Sequence, residues 1–149
     1  MTERKVESVE ETWELAKEFA KRLRPGDVVC LEGDLGAGKT TFTQGLAAAL
    51  GAKGRVASPT FCIVREHPIA NAAGAACPSM LVHMDLYRLN GEDDVEAIGW
   101  DDYLARGAVI VVEWPERAGS LIPQDACRIV FRHCDADASE STESRLISF

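Results

Sequence analysis

The chain has 149 residues, 46% hydrophobic and 27% charged, with a net charge of -8 at pH 7. That length suits one domain, 1–149, with a core of its own, and the acidic balance argues against a surface that grips a polyphosphate backbone directly. The charged N-terminus MTERKVESVEETWELAKEF has no apolar targeting core, no run reaches membrane length, and Cys30, Cys62, Cys77, Cys127 and Cys134 form no C-x-x-C pair; a cytoplasmic protein with reduced thiols and no membrane contact is expected.

In chain order, Ser8-x-x-Glu11 is a capping box, and Val9, Trp13, Ala16, Phe19, Ala20 and Leu23 then fall on one helical stripe that Pro25-Gly26 ends. Val28-Val29-Cys30-Leu31 is a short apolar run fit for a buried parallel strand. After a glycine-rich turn, residues 40–50 carry no proline, finish in Ala47, Ala48, Ala49 and Leu50, and meet Gly51 as a stop, so a helix is predicted there. Residues 56–66 are predicted extended, because Pro59 disfavours helix at Ser58 and Phe61-Cys62-Ile63-Val64 is β-prone. The small-residue segment 67–79 is predicted as a loop, 80–84 as a strand, 92–106 as helix in two pieces broken near Gly99, and 108–112 as a continuously apolar strand. Strands at 127–132 and 145–149 follow, joined by the polar turn HCDADASEST, and no internal repeat is present. Such alternation indicates an α/β domain in which helices cover a mainly parallel sheet, with ligands beyond the carboxyl ends of its strands.

Gly33-x-x-x-x-Gly38-Lys39-Thr40 satisfies the spacing of a phosphate-binding P-loop in full. The glycines let backbone N–H groups turn toward an anion, Lys39 can reach the terminal phosphates, and the Thr40 hydroxyl can ligate Mg²⁺. A strand precedes the turn and a helix follows it, and the helix N-terminus adds its dipole to the anion site. Two further strands end in a carboxylate: Leu81-Val82-His83-Met84 runs into Asp85, and Val109-Ile110-Val111-Val112 runs into Glu113. Those acids stand where a P-loop enzyme needs groups to hold Mg²⁺ or its waters opposite Thr40.

GDLGAGKTTF, then SPTF at 58–61, HMDLYRL at 83–89 and EWPE at 113–116, in that order and at those separations, resemble the TsaE family. The likeness runs from the Glu11-Thr12 pair in the first helix to the strand after Pro123. CIV after SPTF and the length of the 67–79 loop depart from the family pattern, away from the nucleotide site. The resemblance implies an accessory ATPase of bacterial tRNA threonylcarbamoyladenosine synthesis. Such a protein binds ATP and Mg²⁺, joins TsaD and TsaB, meets tRNA only through them, and uses the nucleotide to reset the complex between turnovers. It also implies a single P-loop nucleotide-binding domain whose parallel core is flanked by antiparallel strands, with helices on both faces.

On that resemblance, the nucleotide would be held by Gly33, Asp34, Leu35, Gly36, Ala37, Gly38, Lys39, Thr40 and Thr41, with the backbone amides from Gly36 to Thr41 around the phosphates. Mg²⁺ would be held by Thr40, Asp85 and Glu113, directly or through water. Lys39, Asp85 and Glu113 are the expected catalytic residues, and either acid could polarise the attacking water. Ser58 and Thr60 of SPTF would form a switch that senses the γ-phosphate, against a plain turn-fixing role. Thr12 would contact base or ribose, against a solvated helix position, and Trp114 would stack on adenine or on a partner, against packing at the rim. Arg88 is a candidate for charge stabilisation or for a partner contact, against an ion pair with Asp85, while His83 is expected in the core and the charge run EDDVEA on a solvated helix. The alternative function, a small-metabolite kinase, needs an arginine-rich lid, and the 67–79 segment has no Arg or Lys. A GTP switch needs a guanine-reading Asn-Lys-x-Asp segment, which does not occur.

Overall fold

A computed structural model describes residues 2–33, 38–57, 59, 62–69, 77–133 and 144–149. Its strands are β1 (Glu3–Val6), β2 (Val28–Gly33), β3 (Val64–Pro68), β4 (Met80–Asp85), β5 (Val109–Glu113), β6 (Cys127–His133) and β7 (Arg145–Ser148). Its helices are α1 (Val9–Ala20), α2 (Lys39–Leu50), α3 (Glu92–Ala97) and α4 (Trp100–Ala105), with a 3₁₀ segment at Pro115–Leu121. The described strands form one sheet in the order β1-β7-β6-β2-β5-β4-β3. β6, β2, β5 and β4 run parallel, and antiparallel pairing adds β7 and β1 on one side and β3 on the other. The predicted parallel core with antiparallel flanks is therefore what the chain forms, with β2 at its centre.

Strand alternation divides the core into two layers. Val29, Leu31, Leu81, Val109, Val111, Ile129 and Phe131 pack with Leu15, Phe19, Phe42 and Leu46 of α1 and α2. On the other face Val28, Cys30, Val82, Met84, Ile110 and Val112 meet Val95, Trp100 and Ala118. Burial there pushes the Cys30 thiol up to about 11, so it stays protonated.

Local chemistry sets the element ends. The Ser8 hydroxyl accepts from Glu11 N–H and caps α1, while the Glu11 carboxylate reaches back to Glu7 N–H, a capping box displaced by one residue. The apolar stripe of α1 is displaced as well. Thr12, Leu15, Ala16, Phe19 and Ala20 are buried, whereas Val9 and Trp13 are exposed. The strand predicted over 56–66 begins only at Val64, because Cys62 and Ile63 N–H both donate to Pro59 O and Ile63 turns the chain at φ 66°. It then continues through His67 and Pro68, which were assigned to the following loop. Proline is tolerated there because β3 is a sheet edge.

The helical layer over the first of these faces depends on a close crossing of α1 and α2 at Gly45. A Cβ on Gly45 would lie 2.8 Å from Ala16 Cβ and 3.1 Å from Trp13 Cα. Alanine favours a helix interior over glycine by about 1 kcal/mol, but overpacking of this kind costs about 1–3 kcal/mol. Gly45→Ala is therefore expected to lower stability despite its better propensity, as a reduced urea midpoint. A raised midpoint would show that the two helices can part without cost.

Candidate functional site

β2 delivers its chain to the site at Gly33, which pairs with Phe131 of β6. Gly33 has φ 142°, and a Cβ there would collide with the Phe131 carbonyl oxygen, so only glycine lets the two backbones approach. Gly38, at φ 102°, starts α2, and the first helical bond to it is Phe42 N–H to Gly38 O at 3.0 Å. The amides just before that bond, at 39–41, lack intrahelical acceptors by the geometry of any helix start and are available to an anion. Asp34, Leu35, Gly36 and Ala37, between these two glycines, and the switch candidates Ser58 and Thr60 lie outside the described residues.

Lys39 bridges this turn. Its Nζ donates to Gly33 O at 3.0 Å and lies 3.5 Å from Glu113 Oε1 at the end of β5. The other Glu113 oxygen, Oε2, is 2.8 Å from Nε2 of His83 on β4. Sheet register explains this convergence. Leu81, His83 and Asp85 pair with Val109, Val111 and Glu113, so all six project on the face that α2 covers. Asp85 is thus the lateral neighbour of Glu113 across adjacent parallel strands, and both acids are buried. The Asp85 carboxylate accepts Tyr87 N–H at 3.0 Å, which fixes the turn leaving β4.

Burial by itself would raise the Glu113 pKa, but the hydrogen bond from His83, with the Lys39 ammonium beside it, holds it below the ordinary value of 4.5. A depressed carboxylate contributes stability that is complete above its unfolded pKa and is lost as pH falls through the folded one. Glu113→Gln is therefore expected to flatten the acid limb of the stability curve below pH 4.5, measured as unfolding free energy against pH. A limb of unchanged slope would assign the acid loss to other groups.

Two non-glycine residues with positive φ are present among the described residues, and both flank this place. Ile63 accepts Asp85 N–H at 2.8 Å, and Trp114, at φ 59°, directly follows Glu113. Strain of this kind persists where surrounding contacts over-determine the backbone, as they do around binding sites. Trp114 is 40% exposed and meets Tyr87, 55% exposed, with ring centroids 4.8 Å apart. It also borders a cavity of about 190 Å³ whose walls include Leu31, Gly33, Lys39 and Pro115, with Glu116 of the EWPE motif and Glu32, a carboxylate that no site prediction named.

Of the residues predicted from sequence, the fold thus gathers Gly33, Gly38, Lys39, Thr40, Thr41, Asp85, Glu113 and Trp114 at the carboxyl edge of the central strands. Thr12 does not line this cavity. It is buried on α1 with its hydroxyl donating to Ser8 O at 3.4 Å, which rules out the solvated helix position. His83 is buried, as expected of a core residue, and is also the hydrogen-bond partner of Glu113. Among the described residues no three His, Cys, Asp or Glu side chains group as a metal cage. Asp85 and Glu113, buried side by side at the strand ends, are oxygen donors of the kind that a hard cation such as Mg²⁺ takes alongside water and phosphate.

A family model described as "Threonylcarbamoyl adenosine biosynthesis protein TsaE" matches residues 6–143. The chain belongs to the TsaE family. The tRNA threonylcarbamoyladenosine biosynthesis protein TsaE of Bacillus subtilis (strain 168) is 44% identical over 133 residues, covering 89% of this chain and 78% of the relative. The protein of the same name from Streptomyces coelicolor is 44% identical over 128 residues, covering 85% and 82%. The crystal structure of Bacillus subtilis YdiB superposes with a TM-score of 0.72 at 35% identity, covering 98% of this chain and 82% of that one. The expected fold of a TsaE protein, one mixed sheet with a parallel centre and helices, is the fold observed. No helix among the described residues is long and apolar enough to cross a membrane.

Proposed function

We propose that the chain binds ATP with Mg²⁺ at the turn between β2 and α2, hydrolyses it slowly, and so serves tRNA threonylcarbamoyladenosine synthesis as an accessory ATPase. TsaD and TsaB carry out the modification of the adenosine next to the anticodon, and the chain meets tRNA only through them, in the cytoplasm. One observation carries this reading above the family name: Lys39, the first residue of α2, spans from Gly33 O at the end of the central strand to the buried Glu113. A lysine so placed presents its ammonium to whatever anion enters the turn.

The chain's own groups divide the work. The amides at 39–41 and the Lys39 ammonium hold phosphate oxygens and balance the charge that develops on them. Phosphate takes the place of Glu113 Oε1 beside Lys39, which frees that carboxylate oxygen for the ion or its water. Thr40, Asp85 and Glu113 would hold Mg²⁺, which would supply positive charge to neutralise phosphate oxygens. Asp85 or Glu113 orients the attacking water, and Trp114 with Tyr87 offers an aromatic wall for a base or for a partner.

Titration calorimetry of the purified protein with ATP or ADP in Mg²⁺ tests the site, and uptake of nucleotide is expected. Depleting the protein in its host tests the pathway, with a fall in threonylcarbamoyladenosine in tRNAs that read codons beginning with A. Undiminished modification would remove the pathway and leave the nucleotide site standing. Rapid phosphate transfer to a small acceptor would replace the ATPase with a kinase.

A further inference from the structure

We infer that His83 is a positioning residue for Glu113 and that Arg65, across the β3–β4 pair, fixes the tautomer of His83. The three side chains then stand in register from the sheet edge to the proposed nucleotide site, and the line is complete when Arg65 Nε closes on His83 Nδ1. This inference rests on Glu113 working in the ATP site proposed above.

A carboxylate only accepts hydrogen bonds, so the 2.8 Å contact to Glu113 Oε2 requires the hydrogen on His83 Nε2. In a neutral imidazole the other nitrogen, Nδ1, is then a lone-pair acceptor. It is buried, and it has no hydrogen-bond partner. Arg65 pairs directly with His83 in the antiparallel register of β3 and β4, so their side chains emerge on the same sheet face. Arg65 Nε carries an N–H donor that is likewise buried and without a partner. An orphan donor and an orphan acceptor therefore occupy facing cross-strand positions, where a small side-chain adjustment or one bridging water joins them. His67 has a third such nitrogen, Nε2, but it pairs with Leu81, one step further from Glu113 along the same face. By register Arg65 is the nearer donor.

The consequence for Glu113 is rotational. Its side chain has three torsions, and His83 holds one carboxylate oxygen while the other turns toward Lys39 at 3.5 Å. When phosphate occupies Lys39, Oε2 remains tethered and Oε1 is presented in a fixed direction. The partner of a histidine's second nitrogen selects which nitrogen carries the proton, and losing such outer contacts costs about 10- to 100-fold in activity or metal affinity. Phosphate grip belongs to Lys39 and the backbone, so the effect falls on turnover rather than on KM.

The experiment uses the full chain with its partner proteins. His83→Leu is expected to lower kcat for ATP hydrolysis by about 10- to 100-fold while KM changes less than about threefold. His83→Gln keeps an N–H donor near the Nε2 position and is expected to recover most of that loss. In ¹⁵N spectra of the free protein His83 is expected as the Nε2–H tautomer, and Arg65→Met is expected to mix the tautomers. Equal loss in the Gln and Leu variants at matched melting temperature, or an Nδ1–H tautomer in the wild type, would overturn the assignment. If the wild-type assembly hydrolyses no ATP, the ATPase reading fails, while the tautomer and its response to Arg65→Met still decide the positioning line. Should His83→Leu not fold, the Gln variant and the spectra carry the same decision.

Discussion

Lys39→Ala is expected to abolish nucleotide-dependent function while leaving the protein folded. Lys39 Nζ reaches across the turn between β2 and α2, held at 3.0 Å to Gly33 O and 3.5 Å to Glu113. Charge-assisted contacts contribute about 1.5–3 kcal/mol each, so affinity for ATP should fall by about 10- to 100-fold. Hydrolysis should fall further, by about 100- to 1,000-fold, because the lost charge acts most strongly where phosphate charge develops. Folding loses less. Glu113 keeps its His83 bond, and the variant should unfold within about 1–2 kcal/mol of the wild type. Calorimetry for ATP, phosphate release in the partner assembly and a urea titration measure the three quantities. Normal tRNA modification supported by a soluble Lys39→Ala protein would remove the mechanism.

Gly33→Ala is expected to be among the most destabilising single substitutions in the chain. Two costs combine at this position. A side chain at φ 142° is strained, and its Cβ would collide with the Phe131 carbonyl oxygen, a main-chain atom that cannot swing aside. Relief requires β2 and β6 to separate at the end of the sheet's centre, with a loss of about 3 kcal/mol or more. Gly26→Ala is the control. Its φ of 88° carries backbone strain, but nothing lies within 4 Å of a Cβ there, so about 1–2 kcal/mol is expected. The difference between the two urea midpoints isolates the collision, and a Gly33 variant no worse than the Gly26 variant would show that β6 yields freely.

The parts of the site written in contiguous residues were legible in the sequence. Gly33-x-x-x-x-Gly38-Lys39-Thr40 is a local pattern, and the acids Asp85 and Glu113 follow apolar runs that only a buried parallel strand suits. β1 was not legible, because Glu3, Arg4 and Lys5 are exposed edge residues and Val6 alone of the four is buried. The hydrophobic period that marks a helix or central strand is absent from such an edge. The stripe of α1 was misplaced because Trp13 and Val9 are apolar yet exposed, while Thr12 and Leu15 turn inward. His83 was read as core since its flanks are apolar, and it is indeed buried. The missed signal was the two-residue period that places it on the same strand face as Asp85, beside the column ending in Glu113. Its pairing with Glu113 depends on register between strands about 30 residues apart, which no local pattern encodes.

The position of β2 ties the timing of function to synthesis. Its two neighbours are β5 and β6, and Gly33 sits against Phe131, nearly a hundred residues later in the chain. A nascent chain emerging from the ribosome therefore presents the GKT segment long before the wall behind it exists. Such distant pairings are late and slow to close. If the turn holds ATP as proposed, no finished receptor exists to capture it until β6 has been translated, and the nucleotide would trap only the completed sheet.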